Sequence, residues 1–235
     1  MISSNDQPTA ESLIQSAENY LRSNTYYAEM KITSVRPKYE RTMTLKSWSK
    51  GTKKGVILIT SPAKEKGIVF LKLEDQVWNW MPALDRVIKM PPSMMGQSWM
   101  GTDFTNDDLI QQSSTIDDYD CKIVGEEKVE GVDCYRLELI PKEDAMVVWG
   151  KLEMWIEKGG TYIMKQHFYD EDLDLINTMQ GYNVKTFGDK TIPSKMVMIP
   201  QDKNGHQTIL EYMDMKLGME IEDEFFTVQG IKNLD

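Results

Sequence analysis

Residues 78–109 read WNWMPALDRVIKMPPSMMGQSWMGTDFTNDDL, and this stretch decides how the chain is organised. A short aromatic strand over 78–81 meets a turn at Pro82, and a second short strand follows over 86–90. What comes next has neither strand alternation nor a helical stripe. Met90, Met94, Met95, Trp99, Met100 and Phe104 are large and apolar, and Gly96 and Gly101 bracket the centre. A stiff core is normally built from Leu, Ile and Val, whereas methionine adapts to apolar partners of different shape. The segment reads as a pliable lid or lining for something greasy. Methionine also fills irregular cores, and Pro91-Pro92 with two glycines can simply mark an awkward connection. Both readings stand at this point.

Around this segment the chain reads as β structure. Strand signals, bounded by turns at Lys50-Gly51, Glu130-Gly131, Gly159-Gly160, Gly188-Asp189 and Asn204-Gly205, recur every 8–12 residues from Tyr26 to Lys216. Leu152, Met154 and Ile156 face one way; Glu153, Trp155 and Glu157 face the other. Such alternation gives a sheet with one apolar and one wet face. The expected fold is mainly β: one strongly curved antiparallel sheet, an open half-barrel of about eleven strands. Residues 9–22 form the one amphipathic helix, with Thr9 as N-cap and Leu13, Ala17, Tyr20 and Leu21 on one stripe. A second, short helix is expected over 106–112, capped by Thr105. The N-terminal helix and the Met-rich segment are the available covers for the concave face. No repeat or linker interrupts the pattern, so residues 1–235 read as one domain, with residues 1–8 a disordered N-terminus.

Composition bounds the function. Net charge is -10, which argues against nucleic acid or an anionic membrane surface as partner, since both need clustered Lys and Arg. No run approaches the ~20 apolar residues of a transmembrane span. Met1 to Asp6 lacks a leader's charged and apolar regions, which fits either a cytosolic protein or a form with its leader removed. Glu130-Gly131 as a hairpin turn places Cys121 opposite about Leu139 and Cys134 opposite about Glu126. That separation is roughly 17 Å along the strand, too far for a disulfide, so two free thiols are expected.

Enzyme motifs are weak. Gly96-Gln97-Ser98-Trp99-Met100-Gly101 is one residue too long for a nucleophile elbow. The acidic run from Asp170 lacks the glycine and the closing glutamate of a calcium loop. No phosphate-binding glycine loop exists. No catalytic residue, metal site or cofactor is expected. The positive signal is apolar capacity: six Trp and seventeen Met in an acidic chain. Burying an acyl chain of ~14 CH₂ groups gains about 11 kcal/mol gross, enough to survive the ordering costs of binding.

The central segment also carries a resemblance. Trp78-x-Trp80-Met81-Pro82-Ala83-Leu84-x-Arg86-Val87-x-Lys89-Met90, followed by Met100-Gly101-Thr102-Asp103-Phe104-Thr105 and Asp108-Leu109, is similar to the outer-membrane lipoprotein-sorting proteins. These are periplasmic carriers of the LolA/LolB-like type. Pro62 to Gly67 and Gly125 to Tyr135 match two hairpins of that family. The resemblance implies a periplasmic carrier that binds lipid or lipoprotein acyl chains and hands them between envelope membranes. It implies an inner-membrane transporter as donor and an outer-membrane acceptor. The expected acyl-chain residues are Trp78, Trp80, Met81, Met90, Met94, Met95, Trp99, Met100, Phe104 and Leu109. Arg41 and Arg86 are expected to meet a headgroup or partner. The alternative is a non-transporting envelope module that senses lipid or scaffolds an exporter.

Overall fold

The computed structural model describes residues 7–22, 25–110, 115–145 and 147–234. The expected disordered N-terminus therefore lies mostly outside the described residues, as do the last two residues of the helix expected over 106–112. Helix α1 (Ala10–Arg22) precedes six strands: β1 (Thr25–Arg36), β2 (Tyr39–Lys50), β3 (Lys54–Ser61), β4 (Val69–Leu73), β5 (Gln76–Met81) and β6 (Arg86–Met90). Helices α2 (Asn106–Ile110) and α3 (Thr115–Asp118) follow. Seven strands complete the sheet: β7 (Tyr119–Val129), β8 (Val132–Pro141), β9 (Lys151–Glu157), β10 (Ile163–Tyr169), β11 (Leu175–Phe187), β12 (Lys190–Pro200) and β13 (Gln207–Leu217).

All thirteen strands form one antiparallel sheet in the order β6-β5-β4-β3-β2-β1-β13-β12-β11-β10-β9-β8-β7. Thirteen strands stand where about eleven were expected, and β4, β5 and β6, only five or six residues each, are full members of the ladder. The topology explains the odd composition of the central segment. The chain runs outward from β1 to one edge at β6, then reappears at the opposite edge as β7 and works back until β13 pairs with β1. Residues 91–118 must therefore cross from one edge of the sheet to the other. An apolar crossing segment is what a concave apolar face requires.

Strand alternation decides which face each residue takes. Along β1, Ala28, Met30, Ile32 and Ser34 are buried. Residues of this kind from nearly every strand join Leu13 and Ile14 of α1, and Met95, Trp99, Phe104 and Ile110 of the crossing segment, in one core. The sheet is thus curved about its covers. Fully burying Leu13 and Ile14 contributes roughly 1.5–3 kcal/mol each. Thr9 caps α1 as expected, its Oγ1 accepting from the Ser12 amide at 3.1 Å.

A second, smaller core lies on the outer face. Val56, Leu58, Val69, Leu71 and Trp80 pack there against Phe226 and Ile231, which sit in two 3-10 turns near the C-terminus. The sequence contains no strand or helix signal for that segment, and its covering role went unforeseen. The Glu130-Gly131 hairpin has both residues at positive φ, 49° and 83°, as a two-residue primed turn demands. It pairs Cys121 with Leu139 and Cys134 with Glu127, so the two free thiols occupy different rungs.

Candidate functional site

The crossing segment is a plug with its own internal bonding. The Trp99 amide donates to the Phe104 carbonyl at 2.8 Å, and the Asn106 amide to the Gln97 carbonyl at 2.9 Å. The Asn106 side chain donates to the Met94 carbonyl at 2.8 Å. Met100 and Gly101 take the left-handed conformation, φ 51° and 76°, to close the tight loop between Trp99 and Phe104. Trp99 is fully buried, its ring 5.5 Å from Phe70 of β4.

Two arginines fasten the plug to the sheet. Arg36, at the end of β1, forms a buried ion pair with Asp103 at 2.8 Å; the two side chains are 8% and 5% exposed. The same guanidinium donates to the carbonyls of Val35, Gln207 and Gly101. Thr208 of β13 donates to Asp103 at 2.7 Å. Arg41 of β2 donates to the Met100 carbonyl at 2.6 Å and pairs with Glu65 at 3.2 Å.

Under the plug lies a cavity of about 290 Å³, near the lower end of the roughly 300–1,000 Å³ typical of small-molecule sites. Its apolar wall includes Met30, Ile32, Leu45, Ile163, Met179 and Met196. Two smaller compartments adjoin it. One, of about 110 Å³, shares Glu18, Phe104, Asp108, Ile163, Gln166 and Met179 with it and reaches Trp149 and Met198. The other, of about 70 Å³, shares Tyr26, Ser47, Ile57 and Leu109 and reaches Trp48 and Ile110. The largest compartment thus shares part of its lining with each of the smaller ones.

A few polar groups are set into this lining. Thr105 and Asp108 cap α2 reciprocally: the Thr105 amide donates to Asp108 Oδ2 at 2.8 Å, and the Asp108 amide to Thr105 Oγ1 at 3.0 Å. Trp149 Nε1 lies 3.3 Å from Asp108 Oδ1. Burial pushes the Asp108 carboxyl up to about 6; the bonds from Thr105 and Trp149 oppose the rise and the neighbouring Asp107 adds to it. Gln166 of β10 is 9% exposed and borders the two larger compartments.

The expected site residues separate into groups. Phe104 and Leu109 line the compartments. Met90, Met95 and Trp99 are buried in the concave core, with Met94 and Met100 packed partly against it, and none of the five borders a compartment. Met81 is half-buried at the end of β5 and lines none either. Trp78 and Trp80 belong to the outer core, because β5 turns Val77 inward and so sends its alternate residues outward. Arg41 is occupied in holding the plug, and Arg86 is exposed at the start of edge strand β6. The residues that sequence reasoning missed come from both halves of the sheet and from the helices: Met30, Ile32 and Leu45 of β1 and β2, Gln166, Met179 and Met196 of β10–β12, Glu18 of α1 and Asp108 of α2. Gln166 had a readable signal, a polar residue between Met164 and Phe168 where alternation calls for an apolar one.

A family model described as an uncharacterized protein matches residues 51–233. The chain belongs to that family. Solved structures show its fold. A LolA-superfamily protein from Nitrosomonas europaea is 25% identical, with a TM-score of 0.79 over 94% of this chain and 99% of that one. A domain assigned as an outer membrane lipoprotein-sorting protein from Vibrio parahaemolyticus is 23% identical, TM-score 0.83, covering 94% and 97%. A DUF1329-family protein from Desulfovibrio piger is 22% identical, TM-score 0.84, covering 93% and 96%. No curated protein matches the chain. The family thus has the LolA-superfamily fold. Among the described residues no helix is long and apolar enough to cross a membrane, and no group of three or more His, Cys, Asp or Glu side chains could hold a metal ion.

Proposed function

We propose that this chain binds the acyl chains of lipids or lipoproteins reversibly in the compartments beneath the plug, and carries them through the periplasm between envelope membranes. The observation that carries this reading is the cavity of about 290 Å³, which shares lining residues with two side compartments and is lined by methionine from three strands. A fully efficient core leaves few voids larger than a water molecule. Space of this size, walled by Met30, Met179 and Met196, suits an apolar occupant that must later leave. The lipoprotein-sorting domain and the LolA-superfamily protein with this fold support the same reading. Phe104, Leu109 and Met179 are the proposed contacts to the chain. The donor would be an inner-membrane transporter and the acceptor an outer-membrane protein.

Met179 borders the two larger compartments, so Met179→Trp places an indole where the occupant would lie. Acyl-chain binding, measured by calorimetry on delipidated protein, is expected to fall by about tenfold or more. Stability should stay within about 1.5 kcal/mol of wild type, because the new ring fills existing space. Unchanged affinity in a folded variant would place the acyl chain elsewhere.

A further inference from the structure

We propose that the cavity selects its occupant by headgroup charge: it accepts amphiphiles whose polar group is neutral or cationic and rejects free fatty-acid anions. The inference rests on the acyl-binding reading above and adds the chemistry of the polar end. Among the described residues, the charged side chains bordering the two larger compartments are Glu18 from α1 and Asp107 and Asp108 from α2, and no Lys, Arg or His lines them. Lys54 and Lys72 border only the smallest compartment, where Lys54 is held by Asp223 at 2.9 Å. A carboxylate brought into the larger spaces meets like charge and finds no cation among the described lining residues to repay its desolvation.

The polar groups present suit a different ligand. Gln166 is buried between the two compartments, and its carboxamide makes no hydrogen bond with the described residues. A carboxamide offers one acceptor and two donors, the complement of an amide or of an ammonium beside a carbonyl. An occupant that enters these spaces desolvates that carboxamide, so Gln166 favours one that supplies a hydrogen-bond partner. Asp108 accepts from Thr105 and Trp149, which leaves its charge in place at neutral pH and above. The groups around it are Glu18 of α1, Asp107 on its own helix, Tyr119 of β7, and its partners Thr105 and Trp149. None of these is a cation. Protonation of Asp108 as pH falls through about 6 removes one of the repelling charges.

The test compares three twelve-carbon probes on delipidated full-length chain near pH 8: N-methyldodecanamide, dodecylamine and laurate, each below its micellar concentration. The amide and amine are expected to bind about tenfold or more tighter than laurate. The Glu18→Gln, Asp108→Asn double variant, which keeps both side-chain shapes, should narrow that gap to about threefold or less. Dodecanesulfonate, anionic at every pH used, should bind wild type more tightly near pH 5 than near pH 8 and lose that dependence in Asp108→Asn. Equal binding of all three probes by wild type near pH 8 overturns the selectivity and leaves the acyl-binding reading standing. A laurate deficit that persists in the double variant also overturns it. Binding of none of the probes sinks both.

Discussion

Asp103→Ala is expected to cost about 3–5 kcal/mol of stability, because it strands the Arg36 guanidinium in a buried site without its counter-ion. The pair sits where the plug meets the β1–β13 seam, and Thr208 donates to the same carboxylate. Removing it leaves a guanidinium that is 8% exposed in the intact pair with the Val35, Gln207 and Gly101 carbonyls as its remaining acceptors among the described residues. For a chain this size the loss corresponds to a fall in Tm on the order of 10 °C. Thermal and urea unfolding would measure it. The charge-free pair Arg36→Met, Asp103→Leu should be less damaging than the sum of its single changes, with a coupling of about 1–3 kcal/mol in the double-mutant cycle. A loss under about 1 kcal/mol for Asp103→Ala would mean that the plug is anchored by other contacts.

Trp99→Ala should be about as costly, roughly 3–5 kcal/mol, as expected for emptying a fully buried indole site. Trp99 has no exposed surface and packs on Phe70. Its Nε1 finds no hydrogen-bond partner among the described residues. Trp99→Phe therefore keeps a ring against Phe70 and removes an unpaired donor, and it should lie within about 1 kcal/mol of wild type. Denaturant unfolding of the two variants separates a core residue from a loose cover. If Trp99→Ala unfolds like wild type but binds acyl chains weakly, the residue acts as a lid.

The contrast between Trp99 and Gln166 shows what the sequence could and could not convey. Period-two alternation and regular turn signals specify the sheet because strand geometry is local, and the Glu130-Gly131 turn suffices to set the two cysteines on different rungs, although Cys134 faces Glu127 instead of Glu126 and a bulge at Ile123/Gly125 shifts the register before Cys121. The amphipathic stripe of α1 and the Thr9 cap are local as well. The Met-rich segment was legible as a cover for an apolar face. Whether each of its residues touches that face or an empty space depends on β1–β3 and β10–β13, distant in the chain, and on how the sheet curves. Trp78 and Trp80 show the same limit. Their alternation placed them together on one side, but nothing local revealed that the C-terminal turns build a second core there. In the sequence, Asp108 is only an acidic residue near the start of the short helix expected over 106–112. Its burial against Trp149 arises only when the plug closes over the sheet.

An acyl amphiphile brominated along its chain, titrated into delipidated protein, tests the central claim most directly. Trp149 borders the compartment of about 110 Å³ and Trp48 only the smallest one, whereas Trp78, Trp80 and Trp155 belong to clusters outside the concave core. If the acyl chain lies under the plug, emission from Trp149 is quenched on binding, and most of the quenching disappears in Trp149→Phe while affinity for the amphiphile persists. Quenching that survives in Trp149→Phe and is lost instead in Trp78→Phe would put the acyl chain on the outer face and contradict the account.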